Sequence, residues 1–230
     1  MSRSNLPRLG VDIVSDVMCP WCIIGWKKFE QVMLHFAGRL DFRVQWHPFE
    51  LNPDMPPGGE DAAAHVMRKY GISAEQSRAN SGKMAGIAAD LGFTFNRGPG
   101  FRMRNSFDAH RLLSWAGALE EPDQTAATGV QTALKLALFR AHFTDNRDVG
   151  DPDILADVAA SVGLDRARAA AILASGEFGE MVRTEEAYWA DQNITGVPAF
   201  ILGGRMLVPG AQEAEVFIRV IERKILADAA

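Results

Sequence analysis

The first fifty residues alternate between strand and helix patterns, and this order restricts the chain to folds built on a parallel strand pair. The stretch "GVDIVSDV" is a short apolar run typical of a buried strand. The stretch "IIGWKKFEQVMLHF" then places apolar side chains at helical spacing, and "DFRVQWHPF" alternates apolar and polar side chains like a half-buried strand. The connection between the two strands is long enough for a parallel crossover, so the sequence predicts a β-α-β unit.

A loop rich in proline and glycine, "LNPDMPPGGE", ends this unit, and helical patterns dominate the long segment that follows. Ser73 and Gln76 form a capping-box signature that predicts a helix start, and Gly92 predicts the end of that helix. A second helix is expected after Ser106 and a third from about residue 124 to residue 143, which includes the apolar run "ALKLALF".

Strand patterns return only near the C-terminus. Before them, Asp151 fits an N-cap, Pro152 the first helical position and Gly163 the residue after a helix end. The runs "PAFIL" and "RMLV" are separated by Gly203 and Gly204, which favour a two-residue hairpin turn, and "AQEAEVFIRVIERKIL" predicts a final amphipathic helix. The predicted fold class is therefore α/β, with a parallel half, an antiparallel hairpin and a helical insertion between them.

The charge and hydropathy of the chain argue against several classes of function. The formal net charge is -5, from 24 Lys+Arg and 29 Asp+Glu, and there is no basic run. Such a chain is not expected to bind nucleic acid or a membrane surface. The N-terminal "MSRSNLPRLG" has no apolar signal segment, and no stretch approaches the roughly 18 apolar residues of a membrane span. We therefore expect a cytoplasmic protein.

Both cysteines of the chain lie in the motif Cys19-Pro20-Trp21-Cys22, where the first strand passes into the helix. Pro20 fits the first helical position, which makes Cys19 the N-cap residue. Its sulfur would then face the free N–H groups of Trp21 and Cys22 and the positive end of the helix dipole. Both effects favour a thiolate. Cys19 is thus predicted to be an exposed nucleophile, and Cys22 the thiol that resolves the mixed disulfide.

Three other interpretations of the cysteine pair have less support. A zinc site would need a further ligand pair, and His35, His47 and His65 are too widely spaced to supply one, so we expect no metal. A structural disulfide across so short a loop would add only about 2 kcal/mol. Two buried cysteines that serve only as small apolar residues remain the alternative. The position of the pair at a strand-to-helix turn favours redox chemistry.

Several motifs, taken in order along the chain, resemble one known family. These are C-P-W-C after the first strand, "VQWHPFELNPDMP", "RNSFDAHRL", "GVPAF" and "VPGAQ". Together they resemble the FrnE-like branch of the DsbA/thioredoxin superfamily. The resemblance implies a DsbA-like thioredoxin fold with an inserted all-helical domain. On this basis the thioredoxin domain would comprise residues 1–55 and 176–230, and the inserted domain residues 56–175.

The same resemblance implies activity as a thiol-disulfide oxidoreductase or disulfide isomerase. No cofactor is expected beyond the redox-active disulfide, with glutathione as a possible co-substrate. The partners would be protein or small-molecule thiols and disulfides, with glutathione or the thioredoxin system as electron partner. The oligomeric state is left open.

The resemblance also implies roles for residues outside the cysteine motif. Pro198 matches the cis-proline of the superfamily, and the backbone of Val197 would pair with an extended substrate. An ordinary proline that opens an edge strand is the alternative. Asp16 and Glu50 are candidate proton partners of Cys22 or supporting residues, and a solvated or capping role for Asp16 is equally compatible with the sequence.

Related families provide a second functional hypothesis. His110 in "NSFDAHRL" has counterparts in kappa-class glutathione transferases and 2-hydroxychromene-2-carboxylate isomerases, but we expect it to be a structural residue here. A glutathione-dependent isomerase or transferase acting on an aromatic or polyketide-like molecule is therefore the alternative. Those families commonly have serine where this chain has Cys19, which weakens that hypothesis. A third hypothesis is a redox-controlled chaperone with an apolar groove on the helical insertion.

Overall fold

The computed structural model describes residues 6–98, 100–120 and 129–226. The strands are β1 (Arg8–Ser15), β2 (Asp41–Pro48), β3 (Glu60–Asp61), β4 (Arg102–Met103), β5 (Ala199–Leu202) and β6 (Met206–Pro209). The helices are α1 (Pro20–His35), α2 (Ala62–Tyr70), α3 (Ala74–Asp90), α4 (Phe107–Ala118), α5 (Val130–Phe143), α6 (Pro152–Ser161), α7 (Arg166–Ser175), α8 (Gly179–Asp191) and α9 (Ala214–Val220), and a π-helical segment, Ile221–Leu226, follows α9.

A mixed sheet in the order β2-β1-β5-β6 forms the centre of the fold. β1 and β2 are parallel and joined by α1, which confirms the predicted β-α-β unit. β5 is antiparallel to β1, and β6 is antiparallel to β5. The predicted hairpin is confirmed, but its loop has three residues instead of the expected two, because Leu202 pairs with Met206 and Arg205 joins the two glycines in the loop. Gly203 and Gly204 both have positive φ, 60° and 67°. Only glycine adopts that conformation at both turn positions without a steric penalty.

The helix signals of the sequence are mostly confirmed. Ser73 and Gln76 form a complete capping box at the start of α3, and the Asp151 side chain accepts hydrogen bonds at the start of α6. The sequence predicts that α5 starts near Gln124, and this prediction is wrong for the part of the segment that the structure describes. The helix begins at Val130, because the Gly129 backbone is extended, and residues 124–128 lie outside the described residues. No described helix is both long and apolar enough to cross a membrane.

Two apolar clusters meet at α5. The first surrounds α1 and the sheet, and its ring stack centres on Phe29, which lies 5.4 Å from Phe200 and 5.3 Å from Phe217. The second lies among α4, α5, α6 and α7. α5 contributes Phe139 and Phe143 to the first cluster and Leu134 and Leu138 to the second. The helical insertion and the sheet therefore share this helix.

Side chains of α5 complete the free edge of the sheet. The Gln131 side chain accepts a hydrogen bond from the Trp46 backbone N–H at 2.9 Å and donates one to the Trp46 carbonyl at 3.0 Å. The Trp46 indole donates to Thr132 Oγ1 at 3.0 Å. Trp46 lies on the edge strand β2, whose buried backbone groups would otherwise lack partners. A side chain at position 117 would collide with the Gln131 side chain. The glycine at this position therefore leaves room for Gln131.

Gly25 in α1 provides a test of how tightly the helix packs against the loop at Pro198. A Cβ at position 25 would lie 3.1 Å from Pro198 Cγ and 3.3 Å from the Phe200 ring, whereas one at Gly86 in α3 would contact nothing. Alanine in place of a helical glycine normally stabilises by about 1 kcal/mol. We expect Gly86→Ala to show that gain. Overpacking costs about 1–3 kcal/mol, so Gly25→Ala should lower the free energy of unfolding.

The measurement is urea unfolding of the two variants beside the wild type. An equal gain in the free energy of unfolding for both alanine variants would contradict the close contact between α1 and the Pro198 loop.

Candidate active site

The cysteine pair lies where the sequence predicts it, at the start of α1. Cys19 is the N-cap residue with extended backbone, φ -90° and ψ 113°, and Pro20 occupies the first helical position. The expectation that Cys19 is exposed is wrong. Cys19 is 3% and Cys22 1% exposed, and Trp21 between them is the exposed residue of the motif at 41%. The first cysteine is therefore covered by its surroundings.

The loop before β5 supplies part of that cover. The Cys19 thiol donates a hydrogen bond to the Val197 carbonyl at 3.7 Å. The Val197–Pro198 peptide bond is cis, and Pro198 is buried while Val197 is half-buried. The structure thus brings the cysteine motif and the Pro198 loop together, although they lie far apart in the sequence.

A cavity of about 330 Å³ adjoins this loop. It is lined by Asn193, Ile194, Thr195, Gly196, Val197, Pro198, Ala199, Leu207, Pro209 and Gly210. The backbone N–H of Gly210 donates to the Pro198 carbonyl at 2.7 Å and fixes the far wall of the cavity. An extended segment could therefore lie beside Val197 and place side chains in a space that is already formed.

The surroundings shift the pKa values of the two thiols in opposite directions. Contact with Cys22 and burial raise the pKa of Cys19 well above its ordinary value, and the Asp16 charge acts in the same direction. Burial acts to raise the pKa of Cys22 as well, but the Cys19 thiol, the Ser15 hydroxyl and the Lys135 charge lower it overall. The Cys19 side chain makes no capping hydrogen bond at the start of α1. The thiolate predicted at Cys19 stays a prediction.

Asp16 is buried beside the motif and holds two backbone segments. Its carboxylate accepts hydrogen bonds from the N–H groups of Met18 at 3.0 Å and Leu51 at 2.7 Å. Burial acts to raise the pKa of Asp16, but His110 and these N–H groups lower it below its ordinary value. The carboxylate is therefore charged and already hydrogen-bonded. Its predicted role as proton partner of Cys22 stays a prediction.

His110 lies next to Asp16. Its Nε2 is 3.1 Å from the Phe49 carbonyl and 3.7 Å from Asp16 Oδ1, and the ring is almost fully buried. An N–H on Nε2 donates to the Phe49 carbonyl and points near the carboxylate. This contact joins α4 to the end of β2 and to the loop before α1, as expected of a structural histidine.

Glu50 contacts a different set of residues. Its side chain pairs with Arg183 of α8, and its Oε1 is buried without a hydrogen-bond partner among the described residues. Burial raises the pKa of Glu50 to about 7, Arg183 opposes that shift and Glu186 adds to it. Glu50 can therefore hold a proton near neutral pH. Its described side-chain contacts are with α8, and a role as proton partner of Cys22 stays a prediction.

Sequence reasoning missed Lys135, which lies on α5 behind the cysteines. The side chain is fully buried, and its Nζ donates to the Ser15 carbonyl at 3.3 Å. The ammonium lies 5.4 Å from the Trp46 ring centroid and 5.2 Å from that of Phe139. Burial lowers the pKa of Lys135 to about 8. The only sequence signal is a lysine within the apolar run "ALKLALF", where a charge is unexpected.

Arg97 is a second cation that the sequence did not reveal. Its guanidinium lies 4.7, 5.5 and 5.0 Å from the ring centroids of Phe95, Phe101 and Phe143. Burial lowers its pKa to about 10, and Cys19 lies close enough to oppose that shift. Its Nε has no hydrogen-bond partner within the described segments. Arg97 and Lys135 are thus two buried cations whose charges interact with the cysteine pair.

The described residues contain no cluster of three histidine, cysteine or acidic side chains suited to a metal ion.

The fold and the cysteine site together define the class of protein. A sheet of parallel and antiparallel strands, a cysteine pair at the start of α1 and a helical insertion are the features of a DsbA-like thioredoxin fold. The family model described as "DSBA-like thioredoxin domain" matches residues 10–222, and the chain belongs to that family.

Relatives cover nearly the whole chain. The uncharacterized protein YwbO of Bacillus subtilis is 28% identical over 216 residues, which is 92% of this chain and 94% of YwbO. The probable DsbA oxidoreductase SCO1869 from Streptomyces coelicolor has a similar structure, with a TM-score of 0.82 and 32% identity. The match covers 94% of this chain and 89% of that one.

Two more distant structures show the same fold. The cytosolic disulfide reductase DsbM from Pseudomonas aeruginosa gives a TM-score of 0.60 at 18% identity, covering 95% of this chain and 99% of DsbM. A 2-hydroxychromene-2-carboxylate isomerase gives 0.66 at 16% identity, covering 96% of this chain and 99% of the isomerase.

Glu50 predicts a pH-dependent stability. Its folded-state pKa of about 7 lies above the ordinary 4.5, so the unfolded chain loses this proton first as the pH rises. The free energy of unfolding should therefore fall between about pH 5 and pH 7. Glu50→Gln should reduce this slope, as measured by urea unfolding at several pH values.

Glu177→Gln is the matched control. Arg168 lowers the pKa of the exposed Glu177, which therefore titrates below this window. A slope that is unchanged in Glu50→Gln, or reduced equally in Glu177→Gln, would contradict a protonated Glu50.

Proposed function

We propose that this chain is a thiol-disulfide oxidoreductase that exchanges disulfides with its substrates through Cys19 and Cys22. One observation carries the proposal: the Cys19 thiol lies between the Cys22 sulfur and the Val197 carbonyl at the Pro198 loop. Cys19 Sγ contacts that loop through the Val197 carbonyl, so we assign Cys19 to the attack on the substrate.

The exchange reaction is balanced. Cys19 loses its proton to solvent and attacks, as a thiolate, one sulfur of the substrate disulfide, which breaks and releases a substrate thiolate. That thiolate takes the proton of the Cys22 thiol. The Cys22 thiolate then attacks Cys19 Sγ, forms the Cys19–Cys22 disulfide and releases the second substrate thiolate. Two electrons pass from the cysteine pair to the substrate, and the reverse sequence oxidises a dithiol.

The cavity at the Pro198 loop supports an extended substrate. A chain beside Val197 would displace the Cys19 thiol from the Val197 carbonyl and hydrogen-bond with this backbone instead, as in strand addition. Trp21 of the cysteine motif and Leu207 of the cavity wall, 41% and 46% exposed, offer apolar surface to a substrate. Both a protein segment and a small disulfide could use this arrangement.

Glutathione is the small thiol that we propose as electron partner. The structure of DsbM has also been determined with glutathione bound, and DsbM is a cytosolic disulfide reductase. The buried positive charge of Arg97 near Cys19 would favour a thiol compound that carries carboxylates. A FrnE-like activity and a cytosolic location are parts of this proposal.

The experiment is the reduction of insulin by dithiothreitol, with Cys19→Ser and Cys22→Ser compared with the wild type. We expect catalysis by the wild type only. Cys22→Ser incubated with oxidised glutathione should accumulate a mixed disulfide at Cys19, because the resolving thiol is missing. Intact-mass measurement would show this adduct, and Cys19→Ser serves as the control.

Wild-type turnover no faster than that of Cys19→Ser would refute the oxidoreductase proposal. Glutathione-dependent turnover of an aromatic substrate that survives Cys22→Ser would favour the isomerase alternative, because that chemistry does not need the second cysteine.

A further inference from the structure

His47 is a residue of β2 whose ring is covered by α8. The side chain is 10% exposed, and its ring centroid lies 4.8 Å from that of Trp189. Nε2 lies 3.0 Å from Asp12 Oδ1 on β1, and Nδ1 lies 3.0 Å from Glu185 Oε2 on α8. Successive side chains of a strand point to opposite faces, so His47 lies on the other face of the sheet from Trp46 and α1. One imidazole therefore bridges the strand pair and α8.

This bridge needs a protonated ring. A carboxylate oxygen only accepts hydrogen bonds, so both ring nitrogens of His47 must donate, and only the imidazolium has an N–H on each nitrogen. Burial acts to lower the pKa of His47, but the hydrogen bonds to Asp12 and Glu185 raise it above its ordinary value. A neutral ring has one N–H, so one of the two hydrogen bonds is lost as the pH rises through this raised pKa.

Asp12 and Glu185 are the charged groups that face the His47 ring. Other charged side chains of β2, α4 and α8 pair with one another. These pairs are Glu50 with Arg183, Glu186 with Arg183, Asp41 with Arg43, and Asp108 with Arg111. Glu50 also titrates near neutral pH, and it contacts α8 at Arg183. A pH-dependent test of His47 therefore needs Glu50 as a control.

The helix that His47 holds leads directly into the Pro198 loop. Trp189 lies one turn after Glu185 on the same face of α8, and its backbone carbonyl accepts a hydrogen bond from the Ile194 N–H at 3.0 Å. An apolar cluster joins the end of this helix to the loop. It consists of Val14, Trp189, Ile194, Ala199 and Ile201, and Val197 packs against it. The position of α8 therefore sets the position of the loop backbone.

We propose that His47 is a positioning residue that, as an imidazolium between Asp12 and Glu185, holds α8 against the sheet and so sets the Val197–Pro198 loop for an extended substrate. This inference rests on the proposed function and deepens it, because it adds a residue that governs substrate binding. His47 acts through α8 and not on the cysteine sulfurs.

The first test compares a peptide substrate with a small dithiol. Dithiothreitol has no peptide backbone and cannot pair with the loop as a strand does. We expect His47→Gln, which leaves one carboxylate without its donor, to raise the KM for insulin about tenfold. The rate constant for reduction of the Cys19–Cys22 disulfide by dithiothreitol, followed by intact mass after acid quenching and alkylation, should stay near the wild-type value.

His65→Gln is the matched control. The His65 side chain on α2 is also 10% exposed, and its ring nitrogens lie 2.8 Å from Glu60 Oε2 and 3.0 Å from Asn52 Oδ1. This variant should keep the wild-type KM. An equal rise of KM in His65→Gln would overturn the role of His47, because any loss of a buried bridging histidine would then suffice.

Glu185→Ala keeps the proposal testable if His47→Gln does not fold. Glu185 is 30% exposed on α8, and alanine preserves the helix while it removes the same bridge. It should raise the KM for insulin as His47→Gln does. A wild-type KM in the folded variants, or an equal loss of rate with insulin and with dithiothreitol, would overturn the proposal.

Hydrogen exchange tests the same inference without any activity. The amides of Ile194 and Gly210, which hydrogen-bond at the two ends of the loop, should lose protection about tenfold in the wild type above the pKa of His47, as determined by NMR titration. The Phe36 amide at the end of α1 should not. This pH-dependent step should persist in Glu50→Gln and be absent from His47→Gln.

Loop amides that keep their protection on both sides of this titration would overturn the role of His47. The exchange measurement gives its answer whether or not insulin is a substrate. An inactive wild type would therefore count against the proposed function, and unchanged protection would count against His47.

Discussion

The structure depends on how α5 docks against the edge of the sheet. Gln131 satisfies the backbone N–H and carbonyl of Trp46 with one side-chain amide, as a neighbouring strand would. The same helix contributes Phe139 to the core around the sheet and Leu138 to the core of the helical insertion. A buried edge strand without these hydrogen bonds would leave two polar groups unpaired, at about 1–3 kcal/mol each. The insertion is thus part of the hydrogen bonding of the sheet.

Asp16 plays a comparable part inside the site. One carboxylate holds the N–H of Met18 before α1 and the N–H of Leu51 after β2, and His110 of α4 lies beside it. These contacts join three segments that are far apart in the sequence. The negative charge has a further effect, because it raises the pKa of Cys19. A residue that orders the backbone around the cysteines therefore also changes their chemistry.

The parts of the fold set by local patterns could be predicted from the sequence. Strand alternation gave the β-α-β unit, Gly203 and Gly204 gave the hairpin, and Ser73 gave the start of α3. The environment of the site could not be predicted in this way. Lys135 and Arg97 reach the cysteines through tertiary packing, and periodicity carries no information about which helix faces the motif. The apolar run around Lys135 predicted only a buried helix.

The surroundings of Cys19 show which physical effects compete at the motif. An N-terminal helix position contributes about 0.3–1 kcal/mol for an exposed anion, whereas one pKa unit corresponds to about 1.4 kcal/mol. Buried full charges act more strongly than this dipole because little water screens them. At Cys19, contact with Cys22 and burial act against a thiolate, and the Asp16 charge adds to them. The helix start therefore positions both sulfurs, and its favourable field is opposed by the buried surroundings of the first one.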